Sequence, residues 1–215
     1  MYIFELQGVI QLKKIIEFYK KNMRLILKYF VTQIAISALS LVLTLSVRVF
    51  AMHHFDDVTT GAVLASIVSI VIFAFVAHDF FWQEGAKDRI KVDGGRIKRD
   101  NFKGAKVAAC SLAPVIILTV IASISYTIGL LAENEIAASI YIISATPLYY
   151  FLEGMYYGIL SLTNQTMFLP LVLVGEVIVS ILLPSFSYLV GLTNKTLRSY
   201  FGLGNIDIPE KKKDK

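Results

Sequence analysis

Twenty of the twenty-one Lys and Arg residues fall in three clusters, at 13–28, 87–106 and 195–215, and only Arg48 stands apart. Between and around them run five blocks with almost no charge: 30–50, 60–81, 107–131, 136–162 and 166–192. A helix needs about 20 mostly apolar residues to cross the ~30 Å hydrocarbon core of a bilayer, and each block is long enough. The third contains no Asp, Glu, Lys, Arg or His. With 56% hydrophobic residues, 17% charged residues and a mean hydropathy of +0.65, the chain is too apolar for a soluble domain of its length. The expectation is an all-α, polytopic helical membrane protein, with 1–215 as a single membrane domain.

Residues 1–28 alternate apolar positions with lysines that gather on one face from Lys13 onward, the pattern of an amphipathic helix lying in the membrane interface. Glu5, Glu17 and the lysines interrupt any long apolar core there, which argues against a cleaved leader. The polar segment 83–106 reads as a basic loop with eight basic and four acidic residues, net +4, and a turn signal at Asp93-Gly94-Gly95. The segments 51–59 and 132–135 hold no Lys or Arg. By the positive-inside rule, 1–28, 83–106 and the basic tail 194–215 belong in the cytoplasm, in a bacterial inner (plasma) membrane.

Five full crossings would put the tail outside, against that rule. The weakest block is 136–162, which Ser144-Ala145-Thr146-Pro147 and Glu153-Gly154 interrupt. Proline removes a backbone donor, and non-helical backbone at membrane depth survives only when buried in protein or lining a wet cavity. The block therefore reads as broken or re-entrant. Four full spans (30–50, 60–81, 107–131 and 166–192) then leave both termini cytoplasmic. The alternative is five spans.

Glu153 and Glu176 are the two carboxylates inside apolar blocks away from the block ends, 11 and 12 residues on either side of Asn164. An antiparallel pairing about Asn164 would bring them to a similar depth. A carboxylate at mid-membrane costs ~2.5–3.5 kcal/mol on insertion scales, so such groups face a partner or a cavity. Two together can share a proton or hold a cation, and the competing reading is hydrogen bonding to nearby Tyr, Ser or Thr. Arg96, Lys98 and Arg99 are candidate contacts for anionic lipid headgroups or a protein partner. His53, His54, Asp56 and Asp57 carry ligand atoms suited to a divalent metal, without the spacing of a known site. Gly154 and Gly158 form a small-xxx-small pair suited to close helix packing.

No Walker loop, GxSxG, HExxH or CxxC is present, and the lone Cys110 supports neither a disulfide framework nor a thiolate cluster. The sequence thus points to no cofactor and favours a non-enzymatic role. The basic residues sit beside spans, as lipid anchors do, rather than in a nucleic-acid patch. Asp88-Arg89, Val92, Gly95-Arg96-Ile97, Asp100 and Lys103-Gly104, followed by an apolar span, resemble a pattern in uncharacterised small polytopic membrane proteins of Firmicutes, of the clostridial type. Tyr188-Leu189-Val190-Gly191 is similar to the end of those proteins. The resemblance implies a helical membrane fold and no activity. Three functions stay open, in this order: a non-enzymatic subunit or scaffold of a larger complex, a small ion- or proton-coupled transporter or channel using Glu153 and Glu176, and an intramembrane enzyme. Homo-oligomerisation stays open too.

Overall fold

A computed structural model describes residues 2–54, 58–164 and 166–193, with side chains throughout except at 2–12, 14, 51–54 and 58. Among the described residues there are seven α-helices and no strand: α1 Tyr2–His54, α2 Val58–Asp93, α3 Lys103–Ser111, α4 Ala113–Ala132, α5 Glu135–Pro147, α6 Tyr157–Thr163 and α7 Leu169–Leu192. Five stretches are long and apolar enough to cross a membrane: Ile15–Phe50, Thr59–Asp93, Ala113–Ala132, Glu135–Leu152 and Leu169–Leu192.

The surface of the fold is far more apolar than that of a soluble bundle, and several polar residues are buried among its helices. Val42, Leu45, Phe75, Ile143 and Leu171 are among the exposed large apolar side chains, whereas Gln33, Ser37, Ser40, Ser66, Ser69, Ser180 and Ser187 are buried. Water would not tolerate an apolar surface of that extent, but lipid does. Association in lipid gains little from hiding Leu or Val, so small and polar residues take the helix contacts. The chain is a polytopic membrane protein by this criterion as well as by span length.

Three boundaries differ from the sequence expectation. The interfacial helix of 1–28 and the span 30–50 are one continuous helix, because the chain holds no proline before Pro114 and nothing breaks α1 at 28–30. The segment 83–106 is not a loop throughout. The second helix extends to Asp93, and Gly95 (φ 68°) lets the Gly95 and Arg96 amides bond back to Val92 and Lys91. The third span is divided at Leu112 into α3 and α4, with Pro114 in the first turn of α4, where its missing N–H is tolerated.

Two ends can be distinguished. At one, residues 21–28 of α1 meet the end of α2 and the start of α3, and Lys21, Lys28, Lys87 and Lys103 line one cleft. At the other, Arg48 of α1 lies by Thr59 and Ala62 of α2. Only Glu133, left-handed at φ 48°, and Asn134 separate α4 from α5, and the Asn134 side chain accepts from the Ala137 amide (3.0 Å). After the break that follows α5, the chain returns toward α4. The Tyr126 hydroxyl, two turns before the end of α4, donates to the Thr166 carbonyl just past α6 (2.9 Å). The last helix then runs along α2, the largest interface in the bundle, toward the Lys-rich end. A Cβ at Gly191 would collide with the Trp82 carbonyl, and one at Gly85 with that of Tyr188, so two glycines permit the approach there.

Pro184 lies inside α7 and cannot donate to the Ser180 carbonyl one turn earlier. The Tyr29 hydroxyl of α1 donates to that carbonyl instead (2.8 Å), while its ring packs edge-on against Phe81 (5.0 Å). Tyr29→Phe should lower stability by about 1–2 kcal/mol, the cost of an unsatisfied buried acceptor. Pro184→Ala supplies the missing amide, so Tyr29→Phe in that background should cost much less. Thermal unfolding of the four proteins in one detergent measures the coupling. Equal losses in both backgrounds would contradict it.

Candidate functional site

The sequence places Pro147 and Glu153-Gly154 in one block, and the structure unwinds there. Past Pro147 the chain makes a π-helical turn over Leu148–Leu152, in which the Glu153 amide bonds to the Leu148 carbonyl (2.7 Å). Glu153 leaves helical geometry (φ −125°, ψ 26°), and a 3-10 turn over Gly154–Tyr156 leads into α6. An unpaired backbone group at membrane depth costs several kcal/mol, so the freed groups need partners. Two neighbouring helices supply them. Ser37 Oγ donates to the Leu152 carbonyl (2.9 Å), with Gln33 Nε2 more distant at 3.4 Å, and Ser40 Oγ donates to the Gly154 carbonyl (3.1 Å). From α2, Ser66 Oγ accepts from the Gly158 amide (2.7 Å). Gly158 lies against the Ala62 backbone and Gly154 against α1, so the small-xxx-small pair packs within the bundle.

This docking fixes Glu153. Its side chain is 2% exposed, and Gln33 Nε2, 1% exposed, donates to Oε1 (2.9 Å). Oε2 has no hydrogen-bond partner among the described residues. Glu176 of α7 is 6% exposed, lies within electrostatic reach of Glu153, and its Oε1 is likewise without a partner. Ser180, one turn on, ties the levels together. The Tyr156 hydroxyl lies 3.4 Å from its Oγ, and its carbonyl accepts from Tyr29. The two carboxylates therefore do sit at a similar level, buried in one polar cluster with Gln33, Tyr29, Tyr156 and Ser180. Neither faces lipid.

Two cavities lie toward the Arg48 end. Arg48, Thr59, Ala62, Tyr157 and Ser161 line a cavity of about 160 Å³. A second of about 120 Å³, lined by Tyr149, Tyr150, Leu160 and Asn164, shares Tyr157 and Ser161 with it. The hydroxyls of Tyr149 and Tyr141 are 2.7 Å apart, and Tyr149 is within electrostatic reach of Glu176.

The other sequence candidates are not part of this cluster. Arg96, Lys98 and Arg99 are exposed on the turn after α2, where Arg99 Nε donates to Asn101 Oδ1 (2.8 Å). His53 and His54 end α1 without described side chains, and Asp56 and Asp57 lie outside the described residues. Among the described residues no group of three or more His, Cys, Asp or Glu gathers as metal ligands would. His78 pairs with Ser187 Oγ (3.0 Å) across the α2–α7 interface.

Sequence reasoning missed two features. Gln33, Ser37, Ser40 and Thr44 recur at helical spacing along α1, and that stripe is the signal that this helix faces a polar interior. The second is Asp88. It pairs with Lys91 (3.2 Å) and with Lys103, but the carboxylate is only 2% exposed and also accepts from Tyr188, 100 residues away (3.0 Å). It joins α2, α3 and α7 about two turns beyond the 60–81 span. Burial alone would raise its carboxyl, but Lys103, Tyr188 and Lys91 more than offset this and hold it below its ordinary value.

No family model matches the chain, and no curated protein or solved structure matches it either.

Because the folded state holds the Asp88 carboxyl low, its contribution to stability is full above the ordinary carboxylate value of about 3.9 and disappears as pH falls through the lowered one. Asp88→Asn should therefore be less stable than the native chain at pH 7, by about 1–3 kcal/mol. The gap should close as the pH is taken below about 4. Unfolding in detergent across pH measures it, and a gap independent of pH would refute the assignment.

Proposed function

We propose that the chain is a non-enzymatic membrane protein that passes protons or a small cation by way of Glu153 and Glu176. The observation that carries this reading is the buried, unwound turn at Glu153. It presents a carboxylate oxygen without a partner within reach of a second such carboxylate. Discontinuous helices with buried acids recur where membrane proteins bind ions, because freed carbonyls and carboxylates can replace a hydration shell. Tyr149, which lines one of the two cavities toward the Arg48 end, is within electrostatic reach of Glu176.

The same reading includes the topology. In it α1, α2, the α3–α4 pair and α7 cross fully, and α5 and α6 form a re-entrant hairpin entering and leaving at the Arg48 end. Three features support it: the two-residue link from α4 to α5, the Tyr126–Thr166 bond, and the Asp88–Tyr188 bond at the opposite end. The positive-inside rule then puts the Lys-rich end, with both termini, in the cytoplasm of a bacterial inner membrane.

A second reading is a membrane subunit or scaffold of a larger complex, with the acids structural. It is favoured by the cavities by Arg48 and Tyr157, whose linings include neither Glu153 nor Glu176. Flux assays in proteoliposomes separate the two. With a pH gradient or a monovalent cation gradient, the native chain should exceed empty vesicles. Glu153→Gln and Glu176→Gln should each lower that flux by tenfold or more, about 1.4 kcal/mol on the barrier. Their melting temperatures should stay close to native, since Gln keeps the size and most hydrogen bonds. Native-level flux in both variants, or no flux from the native chain, would overturn the transport reading.

A further inference from the structure

A cleft at the Lys-rich end is independent of the carboxylate pair. It measures about 480 Å³ and is walled by α1, the end of α2 and the start of α3. Five cations line it (Lys21, Arg24, Lys28, Lys87 and Lys103) with Glu84 as the one carboxylate. Two of the five are committed elsewhere: Lys87 to Glu84 (2.7 Å), and Lys103 to the buried Asp88. Lys21, Arg24 and Lys28 have no carboxylate within salt-bridge distance among the described residues, and Lys28 lies over the Phe80 ring at 4.4 Å. Their spacing of three and four places all three on one face of α1. Cations gathered in one concave site repel each other, and an anion seated among them removes that cost.

We propose that this cleft binds the phosphate of an anionic phospholipid. The shared chemistry is a phosphate with donors on three sides, which a soluble phosphate would also offer. Position selects the lipid. The cleft lies where the charged part of α1 gives way to its apolar stretch, and its wall includes Leu25 and Phe80. Met23, Leu27 and Val31, exposed on α1 at the same level, provide the apolar surface against which acyl chains lie. Trp82 follows two residues after Phe80, at the depth where aromatic side chains border headgroups. This site is separate from Arg96, Lys98 and Arg99, which are exposed on the turn beyond α2.

Trp82 is the only tryptophan and lies on α2 between Phe80 and Glu84, both of which line the cleft. The full chain is reconstituted in phosphatidylcholine vesicles containing a small fraction of brominated phosphatidylglycerol, or the same fraction of brominated phosphatidylcholine. Brominated phosphatidylglycerol should quench Trp82 more strongly at equal fraction. Each of Lys21→Gln, Arg24→Gln and Lys28→Gln should weaken that preference about fivefold, as expected for a basic residue at an anionic surface. Arg96→Gln with Lys98→Gln and Arg99→Gln should change it less. Equal quenching by the two lipids in the native chain overturns the proposal and needs no variant that folds. So does a preference that survives all three α1 substitutions. Loss of the preference on adding inorganic phosphate, without loss on adding the same ionic strength of chloride, would assign the cleft to a soluble anion and overturn the lipid.

Discussion

The backbone between Pro147 and Gly158 is unwound inside a membrane protein, and its exposed polar groups are met by Gln33, Ser37 and Ser40 of α1 and Ser66 of α2. Much of the rest depends on that exchange. Hydrocarbon offers no hydrogen bonds, so a chain that stops being helical at depth must find them in its own side chains. Serine suits this, being short enough to let two helices approach and able to donate or accept. The glycines at 154 and 158 allow the same approach from the other side. Once docked, the turn has one orientation, and Glu153 is held against Gln33 with α7 across from it.

A similar exchange operates at Pro184. The proline withholds a donor from Ser180, and Tyr29 provides one from another helix. A local defect in one helix thereby becomes a tertiary contact. Glu176 lies one turn before that contact and Gln33 one turn after Tyr29, so the two defects fix α1, α7 and the broken segment at one level. At the far end of α2, Asp88 performs a related task with charge, gathering Lys103 and Tyr188. These polar contacts specify the packing of helices whose apolar faces would slide equally well in lipid.

Much of this was legible in the residues. The five apolar blocks and the interruption at Pro147 and Glu153-Gly154 are local signals, and the structure has a long apolar stretch or a break at each. Counting about Asn164 singled out Glu153 and Glu176 as a pair, and both are buried within electrostatic reach of each other. What escaped was non-local or lay outside the hydrocarbon. Hydropathy marks where apolar sequence ends, not where a helix ends, so α1 and α2 run on through charged residues until a breaker such as Gly94-Gly95. The division at Leu112 sits within an unbroken apolar run, with Pro114 its only signal. The partners of the unwound turn come from residues 92 to 119 positions earlier, and within a single sequence nothing couples Ser37 to Leu152 or Asp88 to Tyr188.

The central claim is that the broken segment enters and leaves at one end of the bundle. In a Cys110→Ala background, Asn134→Cys and Asn164→Cys place thiols at the start of α5 and the end of α6, and Lys98→Cys marks the opposite end. A membrane-impermeant maleimide applied to sealed vesicles of known orientation reads each position. The account predicts that 134 and 164 react from the same face and 98 from the other. Modification of 134 and 164 from opposite faces would mean that the segment crosses the membrane, and would contradict it.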